Sequence, residues 1–144
     1  MSAANVGDSG FMVFRDGSLL ARSQPQLRGF NCPYQLGNGD GYDRPRCAEE
    51  WGVSVAAGDV VVLGTDGLLD NMFAEQVERI VREGVRDRYR PEKLARKIAK
   101  KAYSNSIDER CDTPFGRDSW VAGYLHLEGK RDDITVVVGL IVMC

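Results

Sequence analysis

A single histidine, four scattered cysteines and no apolar stretch longer than residues 134–143 already narrow what this 144-residue chain can be. A bilayer-spanning helix needs about 20 apolar residues, so that stretch is far too short to cross. The cysteines, Cys32, Cys47, Cys111 and Cys144, form no C-x-x-C pair, and zinc would need several of them to converge with His126. Reduced thiols in an intracellular protein are the better reading. One histidine also leaves little for a Ser/His/Asp or Cys/His triad, and no nucleophile elbow, P-loop or G-x-G-x-x-G element occurs. Charge of one sign is lacking too. Nineteen basic residues against 21 acidic ones leave a net charge of −2, which supports neither a nucleic-acid nor a membrane-surface partner. The opening MSAANVGDSG has no basic region followed by an apolar one, so it does not read as a secretory signal.

What remains is one domain of ordinary composition, 43% hydrophobic and 28% charged, long enough to bury roughly 68–70% of its unfolded surface. Its first third reads as strands: residues 3–7, 11–15 and 18–22, the last two joined by the hairpin turn Asp16-Gly17. Over residues 23–50 the alternation dissolves among Pro25, Pro33, Pro45 and the GNGDG run, which predicts a long, flexible, flap-like stretch. Residues 51–56 resume a strand, and the β-branched run DVVVLG at 59–64 predicts a buried one.

Two helices follow. The first is capped by Asp70 or Asn71, turns Phe73, Val77, Ile80 and Val81 to one side and ends at Gly84. The second opens at Pro91 and buries Leu94, Ala95, Ile98, Ala99 and Ala102. Its basic side, Arg96, Lys97, Lys100 and Lys101, reads as a solvated surface. The pattern is weak over residues 104–130, and ITVVVGLIV then predicts a second buried strand. Strands, helices, strand is the order of an α+β layered fold.

The acids carry the chemistry. Asp8 follows a short strand in NVGDSG, Asp66 follows DVVVLG in GTDGLLDN, and Asp132-Asp133 precede the last strand in GKRDDITVVV. Each stands at a strand end beside glycine or in a tight turn, where backbone comes close to a ligand. Carboxylates without cysteine or histidine suit a hard cation, Mg²⁺ or Mn²⁺, which retains several waters and needs few protein ligands. Asp-Gly is also common turn chemistry, so Asp8 fits an Asx turn and Asp70 fits either a metal shell or a helix cap. Asn38, Asp40 and Asp43 lack the spacing and closing glutamate of a calcium loop.

ANVGDSGF, VVVLGTDGLLDN and GKRDDITVVV resemble, in order and approximate spacing, the last three blocks of the metal-dependent type 2C protein phosphatases. FNCPYQL and TPF are similar to the plant and mitochondrial branch of that family. The resemblance implies a β-sandwich flanked by helices, incomplete at the N-terminus, with residues 1–144 as the C-terminal portion of one catalytic domain. It implies a protein serine/threonine phosphatase in which two Mg²⁺ or Mn²⁺ ions activate a water against a phosphoprotein substrate. Asp66 and Asp132 would be direct ligands of one ion, Asp8 would serve a further site with Asp70, and Asp133 would orient the turn. No nucleic acid or membrane is implied. Oligomeric state stays open, and the compartment is intracellular, cytoplasmic or organellar.

The family's Asp-Gly-x-Gly-Gly block has no counterpart ahead of Ala4. The resemblance therefore implies a chain that is inactive or nearly so by itself, whose strands at 59–64 and 134–142 lose pairing neighbours and the opposite sheet. A different class of function, a non-catalytic remnant that binds a phosphoprotein or partner, follows from the same gap.

Overall fold

The computed structural model describes residues 1–125 and 128–143; His126 and Cys144 lie outside them. Among the described residues eight strands and four helices run in the order β1 (Ser2–Asn5), β2 (Gly10–Arg15), β3 (Ser18–Arg22), β4 (Leu27–Gly29), β5 (Cys32–Pro33), β6 (Glu49–Gly52), β7 (Val60–Gly64), α1 (Asp66–Leu69), α2 (Ala74–Arg86), α3 (Pro91–Ser106), α4 (Pro114–Val121) and β8 (Val136–Leu140). The central sheet is antiparallel throughout, in the order β3-β2-β7-β8. Asp16 and Gly17 both take positive φ (51° and 78°), the backbone that a two-residue turn between β2 and β3 requires.

Both faces of the sheet are covered, which is why β2 is apolar in almost every position. Met12 and Phe14 join Val60 and Val62 under α1, α2 and α3, where Leu68, Val77, Val81, Leu94 and Ile98 complete the larger core. Each such aliphatic side chain contributes roughly 1.5–3 kcal/mol on burial, so this helical layer dominates the fold's stability. On the other face Phe11, Val13 and Val61 pack beneath the β1–β6 ribbon, with Trp51 edge-on to Phe11 at 6.0 Å between ring centroids. The result is a helix-backed sheet with a two-stranded ribbon as its opposing layer, an α+β arrangement.

Several sequence expectations are corrected. Strand β7 keeps neighbours on both sides, β2 and β8, rather than losing them. The last strand is shorter than the apolar run and only half buried. As the sheet's edge it turns Val136 and Val138 inward and leaves Val137 54% exposed. The strand expected over residues 51–56 is β6, earlier in the chain and paired with β1. Helix α2 starts after Phe73, whose N–H donates to the Gln76 side chain at 3.0 Å, and runs past Gly84 to Arg86. Asp70 and Asn71 therefore do not cap it; Asp70 closes α1 instead.

Residues 23–50 contain a β4–β5 hairpin and a 3-10 turn at Pro45–Cys47. Buried Asp43 accepts from Arg28 and from the Gln35 N–H (2.9 Å) and fastens the segment internally. Helix α4 arises where the pattern was weak; its cap is Thr113, whose buried hydroxyl accepts from the Gly116 N–H at 3.1 Å, with Pro114 following. Cys32, Cys47 and Cys111 are free thiols. No helix among the described residues is long and apolar enough to cross a membrane.

Candidate functional site

Strand register brings the acids together. Gly10 of β2 pairs with Gly64 of β7, and Gly64 pairs with Val136 of β8. Because neighbouring strands run in opposite directions, the start of β2, the end of β7 and the start of β8 share one end of the sheet. Asp8 lies just before the first of these points, Asp66 just after the second and Asp132 just before the third.

Two backbone clamps then fix the loops against each other. Thr65 donates its hydroxyl to the Asp133 carbonyl (2.9 Å) and accepts from the Thr135 N–H (3.1 Å). Asn71, fully buried, donates to the carbonyls of Gly67 (2.9 Å) and Lys130 (2.8 Å) and accepts from the Lys130 N–H (2.9 Å). Asn105 of α3 donates to the Asn71 carbonyl at 2.8 Å and ties this junction to the helical layer. At Gly67 any side chain is excluded, since a Cβ would stand 2.6 Å from the Asp133 carbonyl oxygen.

Within this frame Asp66 and Asp132 each spend one oxygen locally and turn the other to a common point. Asp66 Oδ1 accepts from the Gly67 N–H (2.9 Å), and Asp132 Oδ1 accepts from the Asp133 N–H (2.8 Å). The Oδ2 atoms of Asp66, Asp70 and Asp132 lie 3.0, 2.9 and 3.1 Å from the Lys130 ammonium. Asn31, from the β4–β5 hairpin, accepts from the same nitrogen at 3.2 Å, and the Phe115 ring of α4 lies 5.4 Å away.

Electrostatics follows this geometry. Burial opposes the Lys130 charge, but hydrogen bonds to Asp70 and Asp66 outweigh it and raise the ammonium's pKa, so it stays protonated. Burial lifts Asp70 above the ordinary carboxylate range, and the charges of Asp66 and Asp8 add to that lift. Asp8 is raised by burial and then by the charge of Asp66. Burial pushes Asp132 upward as well, yet the Asp133 N–H and the Lys130 ammonium together hold it low.

Asp66, Asp70 and Asp132 thus meet on one cation position. Asp8 is close enough to feel Asp66, Lys130 and Asp132 through charge, and with Asp70 it lines an adjoining recess. The Asp133 side chain is exposed, and its backbone does the joining. Sequence reasoning passed over Lys130, Asn71 and Asn31; the visible signal was a lysine two residues ahead of an acidic pair. A second recess of about 580 Å³ opens beside Lys130, walled by Phe30, Phe115 and Tyr124. Phe30 stacks on Tyr124 at 5.0 Å between ring centroids and packs tilted against Phe115 at 5.2 Å.

Among the described residues no three Asp, Glu, Cys or His side chains by themselves form a cage for a metal ion. The donor set nevertheless fits a hard divalent ion in part. It is all oxygen, three carboxylates already address one positive charge, and Mg²⁺ or Mn²⁺ completes its octahedron with water.

The chain is similar in sequence and fold to known proteins. Residues 55–110, from the end of the ribbon through α3, match the family described as Protein phosphatase 2C. The Arabidopsis thaliana protein named "Probable protein phosphatase 2C 80" is 40% identical over 98% of this chain and 34% of its own length. "Probable protein phosphatase 2C 55" from the same plant is 43% identical over 98% of this chain and 30% of its own. The X-ray structure of the photosystem II phosphatase PBCP superposes with a TM-score of 0.84 at 28% identity, over 97% of this chain and 58% of that one. The chain spans about a third of the length of these two curated relatives.

Proposed function

From a chain similar over nearly its whole length to protein phosphatases 2C, we propose part of the active site of a metal-dependent protein phosphatase acting on phosphoserine and phosphothreonine. The observation that supports this most is the convergence of Asp66, Asp70 and Asp132 on one cation position at the shared strand ends. Asp66 and Asp132 would hold one Mg²⁺ or Mn²⁺ ion, and Asp8 with Asp70 would serve a further one. Bound there, such ions supply a Lewis acid that lowers the pKa of coordinated water and neutralises charge on the phosphoryl group.

The chain's own residues do the rest. The N–H groups of Gly67 and Asp133 pin one oxygen of each ligand, so the free oxygens need little reorganisation to take an ion. The Thr65 and Asn71 clamps keep the two loops at fixed separation. The aromatic wall of Phe30, Phe115 and Tyr124, partly built from the 23–50 segment, would face the phosphoprotein and exclude water from one side.

Mn²⁺ titration by calorimetry at neutral pH tests this reading. The parent is expected to bind, and Asp66→Asn combined with Asp132→Asn to abolish binding. A folded parent that binds no ion would favour the second reading, a phosphoprotein-binding remnant. Its support is that a lysine already fills the common point.

A further inference from the structure

The cation position between Asp66, Asp70 and Asp132 has a resident of the chain's own. Lys130 presents its ammonium to all three carboxylates within 3.1 Å, and its side chain is only 18% exposed. Such a lysine is not a surface ion pair, because three acids that otherwise repel one another are held together by one internal charge.

Two features make that charge removable. The Lys130 backbone is locked by Asn71 through both its N–H and its carbonyl, so the main chain stays put whatever the tip does. The tip sits on a flexible four-carbon stem, and on the recess side Asn31 and the Phe115 ring already contact it. An ammonium leaving the acids therefore has partners waiting a short swing away.

We infer that Lys130 is a built-in competitor of the divalent ion: it neutralises the acid cluster in the metal-free chain, and metal binds only as its ammonium moves out. This deepens the proposed metal-centre reading and rests on it. The ion brings two charges to three carboxylates where lysine brings one. The fraction of time Lys130 spends swung out scales the apparent affinity directly. With the ammonium gone, the same carboxylates face the ion without its competing charge. The expected gain in Mn²⁺ affinity is at least about tenfold, from removing a unit charge that competes for the same carboxylates.

The test uses the whole chain and two readouts other than catalysis. Mn²⁺ binding is measured by calorimetry in the parent and in Lys130→Met, which keeps the length of the stem without its charge. In the unaltered chain, acetylation of Lys130 by an amine-reactive ester is followed by mass spectrometry with and without Mg²⁺, using Lys93 and Lys100 as internal controls. Tighter binding in Lys130→Met, or binding only there, supports the inference, as does a severalfold rise in Lys130 labelling when the ion is added. Equal or weaker binding in a folded Lys130→Met overturns it and leaves the metal centre standing. Absence of binding in both chains overturns the inference together with the metal-centre reading. Should Lys130→Met fail to fold, labelling in the unaltered chain decides: an ion that binds without exposing Lys130 refutes the competition.

Discussion

Asn71 does more for the acid cluster than any residue that carries charge there except Lys130. It is fully buried and satisfies three backbone groups, the Gly67 carbonyl four positions back and the N–H and carbonyl of Lys130 59 positions on. Replacing it by leucine keeps much of the volume and strands the Gly67 and Lys130 carbonyls and the Lys130 N–H. Each buried polar group left without a partner costs about 1–3 kcal/mol. Asn71→Leu is accordingly expected to lose roughly 3 kcal/mol of unfolding free energy in urea, with weaker Mn²⁺ binding because Asp132 is no longer held opposite Asp66. Unchanged stability would mean that the two loops are joined by something else. In the sequence, Asn71 reads as a helix cap, since a short polar residue ahead of an amphipathic run has that meaning locally. Its actual partner is Lys130, and no spacing rule reaches that far. The acids themselves were legible because each stands at a strand end beside glycine or in a tight turn; the lysine between them was not, because a lone basic residue looks like surface until the loops close on it.

At the scale of elements, α1 is a single turn whose value lies in where it stops the chain. It turns Asp66 and Asp70 toward the same point and lets its backbone touch the segment that leads into β8. Gly67 makes that approach, and an alanine Cβ would stand 2.6 Å from the Asp133 carbonyl oxygen, a backbone atom that cannot rotate away. Gly67→Ala is therefore expected to push α1 and the Asp132 segment apart. It should cost about 1–3 kcal/mol of stability and lower Mn²⁺ affinity at least tenfold in the same calorimetric titration. A variant as stable and as tight-binding as the parent would show that this contact is looser than the geometry indicates. Element positions were well marked wherever periodicity was strong, as for β2, β3, β7 and α3. They failed where tertiary partners set the boundary. Helix α2 begins after Phe73 because α1 has already used Asp70, and β8 is half exposed because it is an edge. Helix α4 has its start signals in Thr113 and Pro114, but its eight residues bury little, so no apolar stripe announced it.

For the molecule as a whole, the two faces of the sheet must be held at the end away from the acids as well, and there an ion pair does it. Asp59, just before β7, is 2% exposed; it accepts from Arg15 Nε (3.0 Å) and Nη2 (2.8 Å) and from the Ala56 N–H (2.8 Å). Arg15 also donates to the Ser54 carbonyl at 3.0 Å, so the pair links β2 to the segment that follows the ribbon. The Arg15 hydrogen bonds hold the Asp59 carboxyl below the ordinary carboxylate range, against the opposing effect of burial. For a lowered acid the stabilisation is complete above the unfolded-state pKa of about 4 and is lost as pH falls through the depressed folded-state value. Asp59→Asn removes the charge at every pH, so its penalty is largest near neutrality and shrinks in acid. At pH 7 the variant should melt roughly 5–10 °C below the parent, because a buried acceptor is lost and its arginine is left behind. Below about pH 3 the two melting curves should approach each other. A gap that stays constant from pH 7 to pH 3 would show that the Asp59 shape, rather than its charge, is what the fold uses. Arg15 and Asp59 are 44 positions apart, and neither belongs to a motif, so this brace was beyond what patterning along the chain can show.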